Sequence, residues 1–194
     1  MNILNEIKTS IVATAVLLVI CCGIYPLVVF GAGQLLFPRQ ANGSLVLDDK
    51  GKPIASTLLG QTFSADKYFN PRPSAAGNGY DSTSSGGSNY GATSQALHDA
   101  VKQRIADYRK ANGLSDSEPV PADAVEASGS GLDPHISVKN ALVQLPRVAK
   151  ARGMSEDDLK ALVGKYTDGP DFGILGEPGV NIVKLNLALD GKYK

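Results

Sequence analysis

From Thr9 to Pro38 the chain carries no charged residue. The core of that stretch, IVATAVLLVICCGIYPLVVFGAGQLLF from Ile11 to Phe37, is apolar almost throughout. A bilayer interior about 30 Å thick is spanned by about 20 apolar helical residues, so this run is long enough with residues to spare. Lys8 and Arg39 bracket it, where their ammonium and guanidinium groups reach the headgroups. Pro26 removes one backbone donor inside the run and predicts a kink near Gly23–Pro26. The competing reading is a cleaved secretory leader, whose apolar region is typically about 7–15 residues, shorter than this one. The expected organisation is a flank over 1–10, a transmembrane helix over 11–37 and a soluble domain over 38–194. Flanking charges do not decide orientation, because Lys8 is offset by Glu6 while Arg39, Lys50 and Lys52 follow the run.

The 19 basic and 19 acidic side chains cancel, which argues against nucleic acid as a partner, since phosphate binding needs a basic surplus. Only Glu6 and Lys8 precede Phe37, so the soluble part is neutral too and shows no block of like charge. Both cysteines, Cys21 and Cys22, lie in the apolar run, so the soluble part needs no disulfide.

In that part, Ser44–Leu47 and Pro53–Leu59 flank Asp-Asp-Lys-Gly-Lys and read as a β-hairpin turning at Gly51. Pro71-Arg72-Pro73 opens an irregular stretch, and Ser74–Thr93 is a long loop rich in glycine. Its tyrosines, Tyr80 and Tyr90, predict docking onto the domain. Leu97, Val101, Ile105 and Tyr108 make one stripe of a helix capped at Thr93 or Ser94 and stopped at Asn112-Gly113. A short helix is expected from Pro121, then a second glycine loop over Ser128–Pro134. Ser137 caps a further helix that Pro146 should bend, and Ser155-Glu-Asp-Asp158 opens another that runs to about Tyr166. Val183, Leu185, Leu187 and Leu189 alternate with polar residues and predict a terminal strand over Asn181–Leu189, able to pair with the hairpin. Together these give an α+β fold, one transmembrane helix followed by one mixed domain.

Catalytic constellations are thin. His98 lies on the polar side of its helix. Asp133-Pro134-His135 offers ligand-type side chains, yet neighbours around a proline point apart, and no second cluster has ligand spacing, so no metal site is expected. Ser128-Gly-Ser-Gly131 lacks the strand and the spacing of a nucleophile elbow, and a turn closed by serine-to-backbone bonds is the simpler reading. Ser84–Asn89 offers backbone amides before a helix but lacks the lysine and spacing of a phosphate loop. Gln144 is a polar residue in an apolar helical run. If nucleotide is touched at all, its amide suits a base edge and Arg147 a phosphate; the plainer reading has Gln144 satisfying backbone near Pro146 and Arg147 solvated.

Several blocks carry a resemblance: NPRPSAAG (Asn70–Gly77), YDSTSSGGSNYG (Tyr80–Gly91), VPADAVEASGSGLDPHIS (Val120–Ser137), LPRVAKARG (Leu145–Gly153) and GEPGVNIVKLNLALD (Gly176–Asp190). In this order, behind one N-terminal apolar segment, they resemble the C subunit of the Kdp-type potassium-transporting ATPase. Tyr90, Glu126 and Val138 depart from the pattern without disturbing its glycines or charges. The resemblance implies a non-catalytic accessory subunit in the bacterial inner membrane. Its partners would be a P-type ATPase subunit, a potassium-binding channel-like subunit and a small single-span subunit. It implies an N-terminus inside, a domain outside the cytoplasm, and a role as catalytic chaperone raising the ATP affinity of the hydrolysing subunit. No cofactor is expected to be held tightly. An external domain does not meet cytoplasmic ATP, so any effect would be transmitted allosterically. Partner contacts are expected at Ser85, Gly86, Gly87, Ser88 and Asn89 and at Ser130, Gly131 and Asp133, unless the loop Ser84–Asn89 packs instead against the domain's own second glycine loop. The alternative is an anchored extracytoplasmic solute-binding or sensor domain using the first glycine loop.

Overall fold

The computed structural model describes residues 3–193. The chain divides into two compact units, one reaching to Leu45 and one starting at Val46. The first is dominated by a single apolar helical run, Ile3–Leu36, with none of its most apolar window buried inside the protein. At 1.5 Å per residue it is about 50 Å long, which exceeds a hydrocarbon core. Within it, α1 (Ile3–Leu18) passes into a π turn over Val19–Ile24 and then α2 (Tyr25–Leu36). The Tyr25 amide donates to the Ile20 carbonyl five residues back. This widened turn lies immediately before Pro26, whose ring would otherwise crowd the carbonyl one turn upstream. A four-residue helix, α3 (Pro38–Ala41), closes the unit. Asn42 joins it to α2, its Nδ2 donating to the Pro38 carbonyl at 2.6 Å and to Gln34 Oε1 at 3.1 Å.

The second unit mixes helices with short strands. The hairpin β1 (Leu45–Leu47) and β2 (Pro53–Ser56) stands where its turn residues place it. Asp48 Oδ1 accepts from the amides of Lys50 and Lys52, and Gly51 supplies a φ of 75°. Helix α4 (Gln95–Asn112) ends on Gly113 with φ 67°, and its stripe is half-buried. The segment after Pro121 is a single 3₁₀ turn, Ala122–Ala124, shorter than the expected helix. Strand β3 (His135–Ser137) leads into α5 (Val138–Arg152), where the Ser137 hydroxyl accepts from the Asn140 amide. Helix α5 runs through Pro146; the carbonyl that loses its donor belongs to Leu142, an exposed residue, where water can serve. The Ser155 hydroxyl accepts from the Asp158 amide to open α6 (Glu156–Lys165), with three acids on its positive end.

The C-terminal segment corrects the expectation of a strand. Only β5 (Gly179–Asn181) is extended; Ile182–Leu189 is a helix, α7, capped by Asn181, whose side chain accepts from the Lys184 amide. Ile182, Val183, Leu185, Asn186 and Leu187 are all buried. A short helix enclosed nearly all round carries large apolar residues on most of its sides, so spacing by two does not mark it as a strand. Nor does the C-terminal strand pair with the hairpin. Antiparallel β5 lies between β3 and β4 (Thr167–Asp168), with His135 opposite Asn181 and Asp168 opposite Gly179. Helix α7 bridges two apolar clusters. Ile182 and Leu185 join α5, α6 and the sheet through Phe69, Leu145, Val148 and Leu159, while Val183 and Leu187 meet Val46 and Ala55 of the hairpin.

Candidate functional site

The two glycine loops meet each other. The Gly86 amide and the Ser85 hydroxyl both donate to the Ser130 carbonyl, each at 2.9 Å. Gly131 is buried at φ 68°, and a Cβ there would stand 2.7 Å from the Gly86 carbonyl oxygen and 2.8 Å from Ala76. A Cβ on Gly87 would lie 3.1 Å from the Gly129 oxygen, whereas Gly86 has open space. Glycine is required at 131 both by its backbone angle and by this close approach. Ser88 is half-buried beside the contact, and Asn89 is exposed with a left-handed φ of 53°. The Ser130 hydroxyl accepts from the Leu132 amide, which is the local turn that the sequence favoured over a nucleophile.

Tyr80 docks as expected: its hydroxyl donates to the Arg72 carbonyl at 2.8 Å, and its ring covers Gly60, where any Cβ would collide with it. Burial, with the Asp133 carboxylate nearby, pushes its phenol well up. Tyr90 does not dock and is half-exposed.

Asp133 and His135 do not point apart. Asp133 Oδ1 accepts from the His135 amide at 2.9 Å and lies 3.4 Å from His135 Nδ1. On its other side Asp133 pairs with Arg72 at 3.1 Å. His135 Nε2 is 3.0 Å from Asp168, which also pairs with Lys184. Gly179 eases this: a Cβ on it would stand 3.3 Å from His135 Cβ and 3.4 Å from the ring, and without one the ring crosses β5 to reach β4. The hydrogen bond with Asp133 raises the His135 pKa; burial opposes it, and Asp168 adds to the rise. Burial pushes both carboxyls up, but the bonds from His135, with Arg72 at Asp133 and Lys184 at Asp168, outweigh it and hold both low. Asp168 and Lys184 were not among the residues singled out from the sequence; Gly179 was the faint signal.

Gln144 and Arg147 come together, and on the chain's own groups. Gln144 is 1% exposed. Its Oε1 accepts from the Asn70 amide at 2.7 Å, and its Nε2 donates to the Asn70 carbonyl and to Asn140 Oδ1. Thus Gln144 serves the backbone before Pro71, not a group freed by Pro146. Arg147 is not simply solvated. It donates to Asn112 Oδ1, the Asp66 carbonyl, Asn70 Oδ1 and Gln144 Oε1 at 2.6–3.0 Å. Asn186 repeats the device one residue away, holding both the amide and the carbonyl of Phe69 at 2.9 Å.

The chain thus joins one helix long and apolar enough to cross a membrane to a mixed domain whose buried amides lace its own irregular segments together. A family model described as "KdpC: K+-transporting ATPase, c chain" matches residues 7–191. Proteins named "Potassium-transporting ATPase KdpC subunit" align over most of the chain. The one from Geobacter sulfurreducens is 50% identical over 188 residues, covering 96% of this chain and 98% of the relative. That of Mycobacterium bovis is 53% identical over 167 residues, 86% and 88% of the two chains, and that of Koribacter versatilis 47% over 188, 96% and 95%. The chain belongs to the KdpC family, the C subunits of the potassium-transporting Kdp ATPase.

Proposed function

We propose that the chain is a non-catalytic accessory subunit that assembles and stabilises an ATP-driven potassium uptake pump. Its partners are the P-type ATPase subunit, the potassium-binding channel-like subunit and the small single-span subunit. The apolar helix crosses the inner membrane once with its N-terminus in the cytoplasm, and the second unit lies outside. The stacked glycine loops, residues 85–89 and 130–133, face a partner subunit. Leu58 and Leu59, both exposed, flank Ser85, Ser130 and Asp133 around a shallow depression. The subunit holds no cofactor tightly and raises the pump's apparent affinity for ATP as a catalytic chaperone, by binding some conformational states of the pump better than others.

The observation that carries the indirect route is the engagement of Gln144. Both ends of its buried amide are already bonded to Asn70, so a nucleotide base would have to break those bonds. The test is the apparent ATP affinity of the intact pump carrying Gln144→Ala, beside ATP binding by the purified full chain. A weakened pump affinity with no binding by the chain alone supports transmission through the fold. Saturable binding by the chain, lost on the substitution, replaces it with direct contact. Protease access to the second unit in sealed cells, compared with inverted vesicles, decides the sidedness.

A further inference from the structure

Between β4 and β5 the chain makes a finger, residues 169–178, that turns its largest apolar side chains away from the core. Phe172 is 93% exposed, Ile174 81% and Leu175 58%; among the described residues of the second unit, Phe172 and Ile174 are the two most exposed large hydrophobics. Single exposed leucines are ordinary on a protein surface, but three consecutive large apolar groups on one tip, broken only by Gly173, are not.

The tip is fixed. The Asp171 amide donates to the Leu175 carbonyl at 2.8 Å, the Leu175 amide returns to Asp171 at 2.9 Å, and the Gly173 amide donates to Pro170 at 3.0 Å. Phe172 holds a left-handed φ of 54°, uncommon for a bulky residue, which a turn closed on both sides sustains. Pro170 and Pro178 stiffen its two ends. At the base, Asp168 is tied to His135 and Lys184. A turn closed by its own hydrogen bonds loses less entropy on docking than an open loop would, which favours a shaped pocket.

Charge selects the occupant. From Thr167 to Val183 there are three acids, Asp168, Asp171 and Glu177, and no lysine or arginine. Asp168 is neutralised at the base, while Asp171 and Glu177 are exposed beside the apolar tip. Anionic lipid attracts loops flanked by basic residues and repels this one. The geometry points to the 169–178 finger as a docking element that inserts Phe172 and Ile174 into an apolar pocket with a basic rim on another subunit of the pump. This rests on the reading of the chain as a pump subunit.

The test uses the full chain expressed with the other pump subunits and purified through a tag on this chain. A photo-reactive benzoylphenylalanine replacing Phe172 is expected to cross-link to another pump subunit. Phe172→Ser with Ile174→Ser is expected to reduce co-purification of that subunit about tenfold or more, as loss of an apolar anchor does. Asp171→Lys with Glu177→Lys keeps the apolar tip and is expected to weaken retention as well, at low salt most of all. A circular-dichroism melt matching that of the unsubstituted chain shows that the variants are folded. Cross-links only to lipid or to a second copy of this chain, or unchanged retention in both variants, overturn the inference while the subunit reading stands. Failure of the unsubstituted chain to bring down any pump subunit overturns both.

Discussion

Residues 74–93 with 128–134, and residues 169–178, are all glycine-rich excursions from the same core, and they end in opposite relations to it. In the first pair, missing side chains let two backbones touch: Gly131 fits against Gly86 and Ala76, and Gly87 against Gly129. In the finger, Gly173 and Gly176 have open space around them and serve only to turn the chain, at φ 77° and 89°. Tyr80 of the first pair is pinned inward, while Phe172 of the second points out. Glycine content alone therefore does not distinguish a loop stitched into a domain from one that stands off it. The space around each glycine does.

The strongest way to break this comparison is to fill the stitched loops. Gly131→Val places a branched side chain at φ 68° and against backbone at 2.7–2.8 Å. It is expected to destabilise the second unit by about 3–5 kcal/mol, from strain and overpacking together. Urea unfolding of the full chain, followed by circular dichroism, measures it. A loss below about 1 kcal/mol would mean that the loops part without cost and are not stitched.

Next in size are the amides that fasten the stretch before the first loop. Gln144→Ala leaves the Asn70 amide and carbonyl without their partner, and Asn186→Ala does the same at Phe69. Each is expected to cost about 2–3 kcal/mol, the loss for orphaned buried groups. Hydrogen exchange should accelerate at the Asn70 amide in the first variant and at the Phe69 amide in the second. If neither amide changes, the stretch is held by packing alone.

A smaller effect lies where loop and finger share a fastening, at His135. Its pKa is raised in the folded state, so its contribution is fully present below about pH 6.5 and is lost as pH rises through the higher, folded value. Asp133 and Asp168 are held low, so theirs is present above about pH 4 and lost as pH falls through their folded values. Part-exposed pairs of this kind are worth about 1 kcal/mol or less. His135→Gln should therefore flatten the fall in melting temperature above about pH 6.5 and, because the bonds from His135 help hold Asp133 and Asp168 low, weaken the acid limb as well. An unchanged alkaline slope would show that the histidine does not couple the two regions.

Much of the architecture was legible because its signals are local. Ser137 and Ser155 cap the helices they precede, Gly113 stops α4, and Gly51 turns the hairpin. The apolar segment needed only its length and lack of charge. The C-terminal helix was misread because Val183, Leu185 and Leu187 alternate inside an element buried nearly all round, where no exposed face exists to reveal the period. Asn181, its cap, was the overlooked clue. The clamp at His135 was half visible: Asp133 and His135 are neighbours, but Asp168 reaches it only through strand pairing and Lys184 from the first turn of α7. Gln144 stood out as a polar residue in an apolar run, yet its partner lies 74 residues away. Sequence marks a buried amide as unusual without saying whose backbone it serves.

The finest test of the comparison sets Gly131 beside Phe172. Both have left-handed backbones, at φ 68° and 54°. At 131 a side chain has no room, whereas at 172 a phenyl ring stands in solvent. Phe172→Gly removes the steric cost of a left-handed non-glycine residue but adds backbone freedom to the unfolded chain, and the two nearly offset. Phe172→Ser gives up no buried area. Both variants are expected to unfold within about 0.5 kcal/mol of the unsubstituted chain, the range of ordinary surface positions. A loss above about 1 kcal/mol in either would mean that the phenyl ring packs on the domain in solution, and the finger would then belong with the stitched loops. Unchanged stability, with pump retention reduced in the serine variant, would show that Phe172 contributes to assembly rather than to the fold.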